Sequence, residues 1–265
     1  MIDRVYSHTP KCESLTHYID CYYFHESFHQ NSTRILFDYP HYKEVLIVSL
    51  NSDETLHVDF SRNYFHPKEI VLDKDCQRVG IVFKPLGIYH FLPKTIAAIP
   101  HEIKNYFSRF DERFMQIVRD TLNESNIDGK VGLLDGFFLN QKKEIDFSSF
   151  EPILKQLFVS PNVSLEEFAI SYGVSGKTIY RQFKNNLHCS FESYKKLIRF
   201  RYAFNQLIEI NRGELGTIAH NNYYYDQSDF IKQFKAFTKK TPSEILAQIK
   251  SYGDHDIYWS IVDHN

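Results

Sequence analysis

The chain has 265 residues, more than a single hydrophobic core usually serves, so two or three compact units are expected. Hydrophobic residues make up 43% and charged residues 24%, and no apolar run approaches the ~20 residues that span a bilayer. The first twenty residues carry neither a basic start before an apolar block nor a small-residue cleavage site, so a cytoplasmic protein with no membrane association is expected.

Before Leu92 the pattern is that of strands. Runs over 33–37, 44–50, 55–60, 70–72 and 78–83 hold β-branched and aromatic residues, with breakers between them such as Tyr39-Pro40, His66-Pro67 and Lys84-Pro85-Leu86-Gly87. Short strands at this spacing predict a small antiparallel barrel or sandwich. Between 103 and 139 the spacing changes. Phe107, Phe110, Phe114, Ile117, Val118 and Leu122 recur at three and four, as on the buried stripe of a helix, and a second, weaker helical stretch follows, interrupted by Gly132 and Gly136. Residues 140–150 are polar and charged with few apolar anchors, which places the boundary between units there.

Cys12, Cys21, Cys76 and Cys189 show no metal-ligand spacing and read as buried or half-buried thiols. His25 and His29 stand four apart, but their segment is rich in aromatics and fits a strand, and two ligands do not make a zinc site. No metal and no cofactor are expected. Tyr22, Tyr23, Phe24, Phe37, Tyr39, Tyr64 and Phe65 are read as core before pocket, since burial is the simpler use of aromatics.

From 161 onward the chain is helical in period and nearly repeats itself. Ala169 corresponds to Ala219 at an offset of 50, while Ile179, Phe183 and Lys184 correspond to Phe230, Phe234 and Lys235 at 51, so the one extra residue lies in a turn. Each copy has the parts of a helix-turn-helix. Ser164 with Glu167 forms a capping box, Leu165, Phe168 and Ala169 face inward, Gly173 ends the helix, and Ser175 caps the next. Ile179 and Phe183 form the buried stripe of that next helix. Gly176, Lys177, Tyr180, Arg181 and Lys184 therefore occupy other faces. The net charge of -2 hides a matching asymmetry: residues 160–250 carry 13 Lys and Arg against 8 Asp and Glu, whereas the rest of the chain is acidic. Such a division suits a basic nucleic-acid-facing unit attached to an acidic partner unit.

The region 161–250 resembles the DNA-binding domain of the AraC/XylS family of transcription regulators. The match runs through Leu165, Ala169, Gly173, Ser175, Ile179, Arg181, Phe183 and Lys184, then Tyr194, Arg199 and Ala203, and on through Ile218, Ala219, Asp226, Gln227, Ser228, Phe230, Phe234, Lys235, Thr241 and Pro242. The resemblance implies two recognition helices in successive major-groove segments, joined by a stiff helix over 191–208. Lys177, Thr178, Tyr180, Arg181 and Lys184 in the first half, and Gln227, Ser228, Lys232 and Lys235 in the second, are the expected DNA-binding residues. The chain departs from the family at His188, Phe191, Tyr223 and Lys239, where Gly, Pro, Gly and Gly are usual. A Tyr at 223 must either adopt a left-handed backbone or shift the turn, and Asp229 puts a carboxylate on the second recognition helix.

A fainter similarity, in residues 79–93 and in the early aromatic cluster, links the N-terminal part to the sensor domains of this family. The expected fold is thus α+β. An antiparallel, cupin-like β-barrel over about 1–92 and helices over about 93–140 form a unit, 1–145, that senses a small molecule or mediates oligomerisation. A linker over 146–160 precedes the all-α double helix-turn-helix of 161–250, and 251–265 is a tail. Double-stranded DNA is the expected partner, with a small-molecule effector, RNA polymerase and a second copy as further candidates. Two competing readings are a cupin-type metal-dependent enzyme carrying a helical module, and an adaptor that no longer binds DNA. No nucleophile-base grouping, phosphate loop or metal cluster supports the former.

Overall fold

Alternation along the central strands decides the architecture of the first ninety residues. In β4 (His41–Leu50), Leu46 and Val48 face one core while Val45 and Ile47 face another. Tyr22 and Phe24 are divided in the same way from Cys21 and Tyr23 along β2 (Ile19–Ser27), as are Ile81 and Phe83 from Val82 along β7 (Cys76–Phe83). A sheet covered on both faces must be apolar on both, which is why these strands read as nearly continuous hydrophobic runs.

The computed structural model describes residues 4–27, 34–51, 53–72, 76–92, 102–103, 112–210, 214–251 and 258–263. Its first sheet runs β1-β2-β7-β4-β5-β8, with β1 at Arg4–His8, β5 at Leu56–Tyr64 and β8 at Glu102–Ile103. A second sheet runs β6-β3-β10-β9, with β3 at Arg34–Asp38, β6 at Lys68–Leu72, β9 at Lys250–Ser251 and β10 at Tyr258–Asp263. All pairings are antiparallel. Among the described residues these are two packed sheets with open edges, so the expected barrel is not closed. Strand β10 joins residues read from the sequence as a tail to β3, with Trp259 opposite Asp38 and Asp263 opposite Arg34.

A short helix, α1 (Glu13–Thr16), precedes β2, and two longer ones, α2 (Glu112–Asn123) and α3 (Ile127–Gln141), cover the other face of the first sheet. Phe107 and Phe110, expected on the same stripe as Phe114, lie outside the described residues. The expected interruption at Gly132 and Gly136 does not occur, because α3 runs through both. Each glycine costs a helix about 1 kcal/mol, and burial of Val131, Leu134, Phe137 and Phe138 offsets this. Asp135 of α3 is buried and accepts from the amides of Lys11 and Cys12 and from the Tyr22 hydroxyl at 2.8 to 2.9 Å. Buried Lys130 donates to the carbonyls of Thr121 and Leu122, two of the acceptors left open where α2 ends. No disulfide links the four cysteines; Cys21, Cys76 and Cys189 are buried. His25 is buried on β2, and His29 lies outside the described residues.

Among the described residues seven further helices follow: α4 (Glu151–Val159), α5 (Leu165–Ser171), α6 (Gly176–Leu187), α7 (Phe191–Ile210), α8 (Leu215–Asn221), α9 (Gln227–Thr238) and α10 (Pro242–Gln248). The sheets meet them at the start of β4 and the end of β5. Asn63, at φ +27°, donates to the Leu187 carbonyl at 2.6 Å, and the Tyr89 hydroxyl donates to the Asn186 carbonyl at 2.7 Å. Burial pushes the Tyr89 phenol up to about 12. Beside them Arg62 Nε lies 2.6 Å from Glu44 Oε1, with both side chains buried and the guanidinium 5.2 Å from the Tyr89 ring centre. Burial raises the Glu44 carboxyl and the guanidinium pulls it back.

Breaking a buried ion pair from one side leaves an uncompensated charge and costs about 3–5 kcal/mol. Arg62→Met should therefore lower stability by that amount, and Arg62→Met combined with Glu44→Leu should recover most of it in denaturant titrations. Equal stability of the single and double variants would contradict this reading of the pair.

Candidate nucleic-acid interface

The two helical pairs are built from local sequence signals that the structure resolves atom by atom. Ser164 accepts from the Glu167 amide at 3.2 Å while Glu167 accepts from the Ser164 amide at 2.9 Å, which starts α5. Gly173 turns the chain at φ +61°. Ser175 then caps α6 by accepting from the Thr178 amide at 3.1 Å. Ile179, Phe183 and Leu187 are the buried stripe of α6, packed on Phe150, Ile153, Leu154 and Leu157 around α4 and on Phe168 and Ala169 of α5. Lys177, Tyr180, Arg181 and Lys184 are exposed on the opposite side. Thr178, expected among the DNA-facing residues, is half-buried, with its hydroxyl 2.9 Å from Ser175 Oγ as part of the cap.

The second pair repeats this plan with different residues. Ile218 and Ala219 are buried on α8, Asp226 caps α9 by accepting from the Asp229 amide at 2.7 Å, and Phe230, Phe234 and Thr238 face inward. Gln227, Ser228, Lys232 and Lys235 are exposed. Asp229 is half-buried. Its carboxylate accepts from the Tyr225 amide at 3.3 Å and from Gln233 Nε2 at 2.9 and 3.0 Å, so both oxygens are engaged within the start of α9. Where glycine is usual, this chain forces left-handed backbone on other residues: Tyr223 at φ +61°, His188 at +55° and Lys239 at +62°. Of the two outcomes open to Tyr223, the turn is kept and the backbone takes the strain. Phe191, in place of the usual proline, is buried, with its ring centre 5.5 Å from that of Phe168 and 5.3 Å from that of Phe183.

Helix α7 holds the halves together. Its 20 residues span about 30 Å. Tyr194 and Ile198 enter the first core, and Leu197, Phe200, Ala203, Phe204 and Leu207 enter the second. Arg199, a residue to which sequence reasoning gave no role, donates through Nε to the Asn222 carbonyl at 3.2 Å and through Nη2 to that of Tyr223. Its guanidinium lies 4.7 Å from the Tyr224 ring centre. It thus fastens the second turn to the connecting helix. Nothing in its spacing distinguishes this role from that of any solvated arginine. The sheets contact the C-terminal end of α6, α4 and α7, and leave Lys177, Tyr180, Arg181 and Lys184 exposed.

A family model described as a helix-turn-helix domain matches residues 168–248. The C-terminal part of the chain is therefore a helix-turn-helix domain of the AraC type. A search among curated proteins returns no match. Among solved structures, apo ToxT from Vibrio cholerae, in a point-variant form, is similar at 10% identity over 85% of this chain and 97% of that one, with a TM-score of 0.49. A 1.65 Å structure of ToxT gives 13% identity over 93% and 97%, with a TM-score of 0.47. A protein of unknown function from Listeria innocua gives 22% identity over 37% and 93%, with a TM-score of 0.33. Among the described residues, no helix is long and apolar enough to cross a membrane.

An N-cap side chain is worth about 1 kcal/mol. Asp226→Ala should lower stability by about that amount, and Asp226→Asn, which keeps an acceptor, by much less, as followed by helical circular dichroism in urea. Equal losses would mean that the charge of Asp226, and not its bond to the Asp229 amide, supports α9.

Proposed function

We propose that the chain regulates transcription by laying α6 and α9 in successive major-groove segments on one face of duplex DNA. The observation that carries this reading is the correspondence of exposed positions: Lys177 with Ser228, Arg181 with Lys232 and Lys184 with Lys235, all at the offset of 51 that aligns the buried stripes. Two faces built on one plan and joined through a single helix about 30 Å long suit successive segments of a groove that repeats every ~34 Å.

In this account Arg181 reads guanine, since a guanidinium can donate two bonds to its major-groove edge. Lys177 and Tyr180 also meet base edges in the first half, and Gln227 and Ser228 do so in the second. Lys184, Lys232 and Lys235 neutralise phosphates, and Thr178 shapes the start of α6 beside them. Residues 161–250 are the DNA-binding unit and 1–145 the sensing or oligomerising one. Two cavities suit an effector. One, of about 260 Å³, lies between the two sheets and is lined by Ser49, His57, Asp59, Lys68 and Arg78 among others. The other, of about 560 Å³, is lined by His17, Tyr18, Lys84 and His90 on the sheet side and by Glu151 and Lys155 of α4. A molecule in the latter touches the sensing unit and α4, the helix that leads into the DNA-binding unit. The protein acts as a cytoplasmic binding protein rather than an enzyme, with RNA polymerase and a second copy as further partners.

Arg181→Ala should weaken binding to the cognate site by about 1–3 kcal/mol and relax preference at one base pair. Lys232→Ala should weaken binding to all sequences alike and reduce the salt slope by about 1. Titrating a genomic fragment recovered with the protein, and a scrambled duplex, at several salt concentrations checks both. An equal effect of Arg181→Ala on the two duplexes would remove its base-reading role.

A further inference from the structure

The turn before α9 holds three consecutive tyrosines that the fold uses unequally. Tyr224 is buried at 6% exposure, packed against Phe230 and covered by Arg199. Tyr223 is 48% exposed and Tyr225 is 93% exposed. Tyr225 is the one residue by which this turn exceeds the first, since Gly173 aligns with Tyr223, Val174 with Tyr224, and the cap Ser175 with Asp226.

Tyr223 is costly where it stands. Its backbone at φ +61° matches that of Gly173, a conformation that disfavours a side chain. What fixes the turn is backbone: the Tyr223 carbonyl accepts from Arg199, and its amide donates to the His220 carbonyl at 3.2 Å. A glycine would keep both bonds. Among the described residues neither the Tyr223 nor the Tyr225 phenol makes a hydrogen bond or ring contact, so no such interaction within the fold offsets the strain.

We infer that Tyr223 and Tyr225 form a phosphate-contacting edge that extends the DNA-binding face of the second half beyond α9. This rests on the reading that α9 lies in the major groove. The occupant is DNA because the edge is continuous with the exposed residues of that face. Tyr225 directly precedes the cap Asp226 and the exposed Gln227 and Ser228, and the N-terminal end of a recognition helix is the part nearest the bases. A tyrosine hydroxyl at this place donates to a phosphate oxygen. The edge also answers a deficit. The second recognition helix has no arginine, begins with Gln227 and Ser228, and has Asp229 tied down at its start, so cationic contacts come only from Lys232 and Lys235.

The test uses the full chain with Tyr223→Gly, Tyr225→Phe and Lys232→Ala, titrated against mixed-sequence duplex DNA, with thermal midpoints measured alongside. Loss of one hydroxyl-phosphate bond should weaken binding about fivefold in Tyr225→Phe without moving the midpoint. Tyr223→Gly should raise the midpoint by about 3 °C while also weakening binding about fivefold, a divergence that a merely structural tyrosine would not produce. If both tyrosine variants bind like the parent while Lys232→Ala weakens binding, the edge is overturned and the placement of α9 stands. If all three bind like the parent, α9 is off the DNA and both readings fall.

Discussion

Burial of the apolar sides of α7 is the constraint on which the rest depends. Tyr194, Leu197, Ile198, Phe200, Ala203, Phe204 and Leu207 are fully buried along a single 20-residue helix, and each belongs to a core shared with one of the two helix-turn-helix pairs. A fully buried large apolar side chain contributes about 1.5–3 kcal/mol, so neither pair can detach from α7 without exposing several. The relative placement of α6 and α9 is thereby fixed by packing. Phe191 extends the first core where a proline would only preset the helix, and Arg199 ties the second turn to the same scaffold.

The sheets are attached at the place where α6 would otherwise be incomplete. The last carbonyls of a helix lack intrahelical partners, and those of Asn186 and Leu187 are satisfied by Tyr89 and Asn63. His188 follows in left-handed backbone, and the bonds to these carbonyls come from another part of the chain. Any change in the sheets that moved Asn63 or Tyr89 would be felt at the end of α6. Tyr42, Tyr39 and Leu86 carry the same attachment through packing against Tyr194, Phe204 and the first core. Strand β10 adds backbone pairing between the chain's last described residues and β3.

What could be read from the sequence was local. Capping signals at Ser164 and Ser175, the stripe Ile179 and Phe183, and the near-repeat at 50 to 51 residues each depend on neighbours within a few turns of helix. The central strands were visible because burial on both faces makes them apolar throughout. What was not visible depends on distant partners. The pairing of β10 with β3 joins segments more than two hundred residues apart, and Asn63, Tyr89 and Arg62 act across the junction between sheets and helices. Continuity of α3 through Gly132 and Gly136 is a case of tertiary burial overriding propensity. At the candidate interface the exposed lysines and Arg181 followed from helical period. The half-buried state of Thr178 and the engagement of Asp229 did not, because both depend on cap geometry.

The central claim is that α7 sets the two recognition helices on one face of the duplex. Hydroxyl-radical footprinting of the full chain on a genomic fragment recovered with it measures this directly. The account predicts two protected segments on the same face, with centres separated by about one helical turn, ~10 base pairs. A single protected segment, or two segments on opposite faces, would contradict it.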